Sequence, residues 1–175
     1  SHLFYERKRL ANVHQAISTE EHSEMFIKIR DNLSVTELMP EGEDKHNRVK
    51  KLQSESESLS KDLFNFIFIS GQAVNGQVES LENLFNTNYI PITTRSIMVS
   101  ALTLNILQRF DKRKIELLFN LCNHDEPNIA VRAITGLIPI LRQYKNRWNY
   151  YPVLLSRTEL LSDDALFVRR FMKAI

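Results

Sequence analysis

In the C-terminal half of this chain the apolar side chains recur every 37 residues. Leu81 falls on Leu118 and Leu155, Leu84 on Leu121, Ile92 on Ile129 and Leu166, and Ile97 on Ile134 and Phe171. Three arginines, Arg95, Arg132 and Arg169, keep the same spacing, and two of them follow a valine, at Val131-Arg132 and Val168-Arg169. A period in this range means that one supersecondary unit is stacked several times, because a single unit cannot bury its own apolar face. Each unit reads as a helix of about ten residues, a short turn, and a longer helix beginning near Ile92, Pro127 or Asp163. Pro127 suits a first helical position, where its missing N–H costs nothing. Only 4 Gly and 5 Pro occur in 175 residues, and scarce turn punctuation favours long helices with short connections. The expected fold class is all-α, an α-α superhelix of helical hairpins preceded by an N-terminal helical segment.

The N-terminal segment, residues 1–70, lacks the repeat. Leu3, Leu10, Val13 and Ile17 lie on one stripe of a helix over residues 3–17. Ser18 followed by Glu21 is a capping-box pattern that starts a second helix, with Met25, Phe26, Ile29 and Leu33 on its apolar face. The polar run from Leu38 to Asp44 then reads as a linker. A third helix is expected from about Lys45 to Ser70, with Val49, Leu52, Leu59, Leu63 and Phe66 at heptad a and d positions and Ser56 filling the remaining one. Such a heptad stripe packs in a bundle or mediates self-association through the N-terminal helices. Its tail, Leu63 to Ile69, is nearly all apolar, and Phe64, Phe66 and Phe68 alternate as in a strand. No comparable second strand exists to pair with it, so helix is the better reading. Gly71 and Gly76 open the repeat region, whose units are expected at 77–110, 111–146 and 147–175.

Leu117-Leu118-Phe119-Asn120-Leu121 is followed by Asp125, Pro127, Val131-Arg132, Ala133 and Leu137. This unit resembles the HEAT-repeat family: a leucine-rich first helix, an Asp between the helices, and Val-Arg opening the second helix. The first unit departs from the pattern, with Asn88 at the Asp position, Thr94 for the valine and Pro91 one step late. The third has Ser162 at the Asp position, beside Asp163 and Asp164. The resemblance covers about residues 77–175. It implies that Arg95, Asp125, Arg132 and Arg169 form a structural ladder between adjacent repeats, since a planar guanidinium with five donors suits buried pairing to carboxylates and carbonyls.

No stretch of about 18 apolar residues occurs, and no charged segment followed by an apolar one marks an export signal. A single cysteine, Cys122, forms no intrachain disulfide. A cytoplasmic protein is the expectation. The five histidines are not spaced to converge with Cys or carboxylates on a metal. Phosphate loops, nucleophile elbows and zinc-protease helices are all missing from the sequence. A non-enzymatic scaffold or adaptor with no cofactor, binding a protein partner through the concave solenoid face built by the second helices, is the expected function.

Charge supplies the candidate surface. Residues 77–175 carry 13 basic and 9 acidic side chains. The basic series Arg109, Lys112, Arg113, Lys114, Arg142, Lys145 and Arg147 and the aromatic cluster Tyr144, Trp148, Tyr150 and Tyr151 at the junction of the second and third units supply the candidate partner-binding set, Arg109, Lys112, Arg113, Arg142, Lys145, Arg147, Trp148 and Tyr151. Arg169, Arg170 and Lys173 extend it. Stacked units that place cations at the same end would line them along one edge for an acidic partner. The alternative is a nucleic-acid-binding solenoid using that edge, with aromatic rings as stacking platforms. Against it, Trp and Tyr at a turn between hairpins more often plug the seam.

Overall fold

The structure, a computed structural model, describes residues 18–73 and 76–163. The helix expected over residues 3–17, and Arg169 with the rest of the third unit's second helix, lie outside the described residues. Seven α-helices are described: α1 (Thr19–Glu37), α2 (Glu43–Ile69), α3 (Gln77–Asn86), α4 (Ile92–Gln108), α5 (Lys112–Leu121), α6 (Pro127–Gln143) and α7 (Pro152–Asp163). A 3-10 helix over Lys145–Tyr150 precedes α7. The fold is all-α, and the described residues contain no strand.

Local chemistry sets the helix starts. Ser18 Oγ accepts the Glu21 N–H at 3.1 Å while the Glu21 carboxylate accepts the Ser18 N–H at 2.6 Å, completing the capping box of α1. Asp111 caps α5 by accepting from the Arg113 and Lys114 N–H groups. Pro127 occupies the first turn of α6 as its sequence position implies. Gly76 enters α3 at φ 84°, a left-handed conformation that any other residue adopts only with strain.

α1 packs against α2 and α5 against α6, and α4 lies between α2 and α6 with contacts to both. The long helices α2, α4 and α6 lie side by side in one layer, and α1, α3 and α5 form the other. Arg157 of α7 donates to the Glu116 carbonyl and the Asn120 side chain of α5, which carries the second layer one helix further. A single core runs through all of it, from Phe26, Leu63 and Ile67 through Leu84, Phe85 and Leu102 to Ile134, Leu137 and Leu154. The N-terminal hairpin therefore shares its core with the repeats.

The tail of α2 is helical, and it is covered by the following hairpin. The buried stripe of α2 is Leu52, Leu59, Leu63 and Ile67, and Phe66 is only half-buried, its ring 5.5 Å from His22. Ile67 takes the place expected for Phe66 because the stripe drifts at close to 3.6 residues per turn, as in a straight helix, instead of the 3.5 of a supercoil. The surface read as available for self-association is thus occupied by the chain's own α1 and α4.

The repeat register also differs from the apolar match. α5 starts at Lys112, 35 residues after α3 starts at Gln77, and α6 starts at Pro127, 35 after Ile92. On the long helices burial follows the same offset: Thr94 and Ile129, Met98 and Ala133, Val99 and Ile134, Leu102 and Leu137, and Asn105 and Ile140 are buried pairs, whereas on the short helices Leu81 and Leu118, Leu84 and Leu121, and Phe85 and Cys122 are buried pairs at 37. At an offset of 37, Arg95, which is buried, would pair with Arg132, which is exposed. The two arginines face different environments, so they are not equivalent positions of one ladder.

Candidate functional site

Helix ends leave carbonyls without partners, and in a stack those ends are buried where units meet. Side-chain donors from the next element supply them here. Arg95 donates from Nη1 to the Phe85 carbonyl at 3.0 Å and from Nε to the Ile90 carbonyl at 3.2 Å, closing α3 and the turn after it. Asn105 on α4 donates to the Phe68 and Ser70 carbonyls at the end of α2, at 2.9 and 2.8 Å. One unit on, Gln143 donates to the Leu107 carbonyl at 2.6 Å, and the Tyr144 hydroxyl to the Ile106 carbonyl at 2.7 Å. Trp148 Nε1 donates to the Leu141 carbonyl at 3.0 Å.

Among the described residues of the expected ladder, Arg132 bonds across units to Ser100, while Arg95 caps carbonyls within its own unit. Its acidic neighbour across the units is Glu126 at 3.8 Å, not Asp125, which is exposed. Arg132 donates to the Ser100 hydroxyl at 2.8 Å on the surface. Asn105 and Gln143 were not singled out by sequence, because their partners are backbone carbonyls and leave no sequence signature, whereas Tyr144 belongs to the aromatic cluster and plugs the seam with its hydroxyl on a carbonyl.

Lys114 closes the corner between α2, α4 and α5. Its ammonium donates to Ser70 Oγ at 2.7 Å, the Gly71 carbonyl at 2.6 Å and Asn105 Oδ1 at 2.7 Å. Asp111 accepts the Ala73 N–H at 2.7 Å, tying down the same loop. Burial lowers the Lys114 ammonium to about 8 from its ordinary 10.5; Asp111 opposes that shift and Arg109 adds to it. Between those two values the folded chain holds fewer protons than the unfolded one, so stability rises as pH climbs through the window. Wild-type stability should gain about 2 kcal/mol relative to Lys114→Met between pH 8 and 10, at roughly 1.4 kcal/mol per unit less partial titration at each end. Tyr144, whose hydroxyl is raised by burial, acts in the opposite sense only above its usual range. Urea midpoints of both proteins across this window measure the difference; parallel profiles would contradict the buried placement of Lys114.

The basic edge is partly dismantled by internal use. Trp148 is only 8% exposed and packs the seam, so it is unavailable to a partner. Tyr151 is half-buried with its ring 4.9 Å from Phe110. Lys112 lies 3.6 Å from Glu116, and Arg113 reaches the Ala73 carbonyl at 3.4 Å. Arg142 and Lys145 are exposed. Arg109 and Arg147 come together in a pocket of about 620 Å³ with Gln72, Gln108, Phe110, Gln143 and Tyr144.

A second surface, on the face of the second helices of the units, lies between α4 and α6. This groove of about 980 Å³ is lined by Ile97, Leu104, Leu107, Val131 and Pro139, with Ser96, Ser100, Thr103 and Thr135 among them. Ile97 is 42% and Leu104 43% exposed, high for residues of their size on a helix. The outward face of α4, Thr93, Ile97, Ser100, Leu104 and Gln108, carries no ionisable side chain, and Arg132 is the only charged residue lining the groove. Ser96 Oγ is buried without a hydrogen-bond partner. The groove continues toward α2 through a smaller one of about 530 Å³ that shares Thr93 and Ile97.

Cys122 is buried, its Sγ 3.3 Å from the Leu118 carbonyl, and His124 Nδ1 accepts the Glu126 N–H, so both serve local packing. Among the described residues no three His, Cys, Asp or Glu side chains converge as a metal site, and no helix is long and apolar enough to cross a membrane. No family model matches the chain, and no curated protein or solved structure matches it.

Proposed function

We propose that this chain is a HEAT-like helical-repeat scaffold, a non-enzymatic cytoplasmic adaptor whose layer of long helices binds a partner protein. The observation that carries this reading is the groove between α4 and α6. A surface helix ordinarily turns a charged or strongly polar face to water. α4 turns Ile97 and Leu104 outward with no charge beside them on that helix face. Apolar patches rimmed by polar groups mark interaction sites, and here Ser100, Thr135 and Asn128 stand around Ile97 and Leu104. The HEAT-like reading is supported by paired short and long helices of matching length in successive units.

Affinity capture with the full chain tests the proposal. The Ile97→Asp/Leu104→Asp variant should lose captured partner by about tenfold or more, as expected for charges placed in the centre of an interface. Lys51→Glu, on an exposed α2 position, should leave capture unchanged. Equal capture by all three proteins would exclude the groove, and a melting curve confirms that the double variant is folded.

A further inference from the structure

The pocket at the C-terminal edge of the long-helix layer has a different chemistry. Gln72 follows the end of α2, Gln108 ends α4 and Gln143 ends α6, so the three hairpins each contribute one primary amide to one site. A primary amide offers both a donor and an acceptor, the pair that an extended peptide backbone presents at each residue. Arg109 and Arg147 line the same pocket, and it contains no acidic side chain. The segments 108–114 and 142–147 together hold seven cations and one carboxylate, Asp111, which is buried as the cap of α5.

We propose that this edge binds an extended acidic peptide segment of a partner protein, glutamines reading the backbone and the two arginines taking carboxylates. The Arg147 guanidinium lies over the Phe110 ring at 5.1 Å and the Tyr144 ring at 5.7 Å. Stacked this way it is held in place with its N–H edges available, so less side-chain entropy is lost when a carboxylate binds. The same stacking argues against nucleic acid, because Arg147 covers the ring faces on which bases would stack, and Phe110 is further occupied by Tyr144 and Tyr151 at 5.1 and 4.9 Å. Helix C-termini disfavour anions by about half a charge each. Here the Phe68, Ser70, Ile106 and Leu107 carbonyls already accept from Asn105, Tyr144 and Gln143, and with Lys112 beside Glu116 and Lys114 buried, the exposed Arg109, Arg142, Lys145 and Arg147 still leave this edge cationic.

This inference rests on the reading of the chain as a binding module, on a surface that shares no lining residue with the α4–α6 groove. The test is fluorescence anisotropy of the full chain with a labelled peptide of about ten residues alternating Glu and Ala, its Gln/Ala counterpart, and an oligouridylate of similar length. The acidic peptide should bind, weaken by about tenfold or more with Arg109→Glu/Arg147→Glu, and weaken as salt rises. Arg109→Gln/Arg147→Gln, which adds no new charge, should give a smaller loss in the same direction. Ile97→Asp/Leu104→Asp should leave peptide affinity unchanged, which separates failure here from failure of the groove. Equal affinity for the Gln/Ala peptide, tighter binding of the oligouridylate, or an unchanged affinity in the charge-reversed variant would overturn the proposal.

Discussion

Arg95→Met is expected to lower the unfolding free energy by about 3 kcal/mol, while Arg132→Met should change it by less than about 0.5 kcal/mol. The two side chains stand 37 residues apart in one apolar frame, so sequence spacing alone would give them equal weight. Their surroundings do not. Arg95 is buried and holds the Phe85 and Ile90 carbonyls, and methionine fills much of its volume while leaving both carbonyls unpaired in the interior. The Glu126 carboxylate at 3.8 Å adds little, since it is nearly half exposed and the separation is long for an ion pair. Arg132 gives up a surface bond to Ser100, and water replaces it. Urea unfolding followed by circular dichroism measures both. Equal losses would show that the arginines are equivalent after all and that the 35-residue register is mistaken.

Gly136→Val should be at least as damaging, at about 3 kcal/mol, with Gly136→Ala costing about 1–2 kcal/mol. Gly136 is where α6 approaches α4 most demandingly: a Cβ there would lie 3.0 Å from Thr103 Cγ2 and 3.2 Å from Thr103 Cβ, with the hydroxyl closer still. Thr103 has little room to yield, because it is buried and its hydroxyl donates to the Val99 carbonyl at 2.9 Å. In an isolated helix Gly→Ala would gain about 1 kcal/mol, so a net loss signals the interhelical contact. Thr103→Ala in the Gly136→Ala background should recover most of the loss, giving a coupling of about 1 kcal/mol or more. An alanine at 136 that raises the urea midpoint in the wild-type background would contradict the close approach.

These two sites show what the sequence could and could not convey. Ser18 with Glu21, the proline at 127, and the short-then-long helix order were readable because each depends on residues adjacent along the chain. The 37-residue spacing holds for the buried residues of the short helices, Leu81, Leu84 and Phe85 against Leu118, Leu121 and Cys122, but not for the long helices, because matching apolar letters says nothing about which face a helix turns inward. The donors that join the hairpins, Asn105, Lys114, Gln143 and Tyr144, act on backbone carbonyls or at a chain crossing, and no spacing rule locates those. The face of the second helices was legible as a binding face, and the composition of α4 locates the groove on it. α4 has a single ionisable residue in 17, Arg95, and that one is buried, so its remaining surface had to be an uncharged face toward water or toward a partner. Trp148 and Tyr151 were attractive as partner residues for the same properties, large area and a polar tip, that make them good seam fillers.

The partner-binding role of the α4–α6 groove is tested most directly by site-specific photocrosslinking. A benzophenone side chain placed at Leu104 should crosslink to a partner protein in cells, while the same group at Lys51, on the outer surface of α2, should not. Crosslinks from Lys51 with none from Leu104 would contradict the groove as the binding surface.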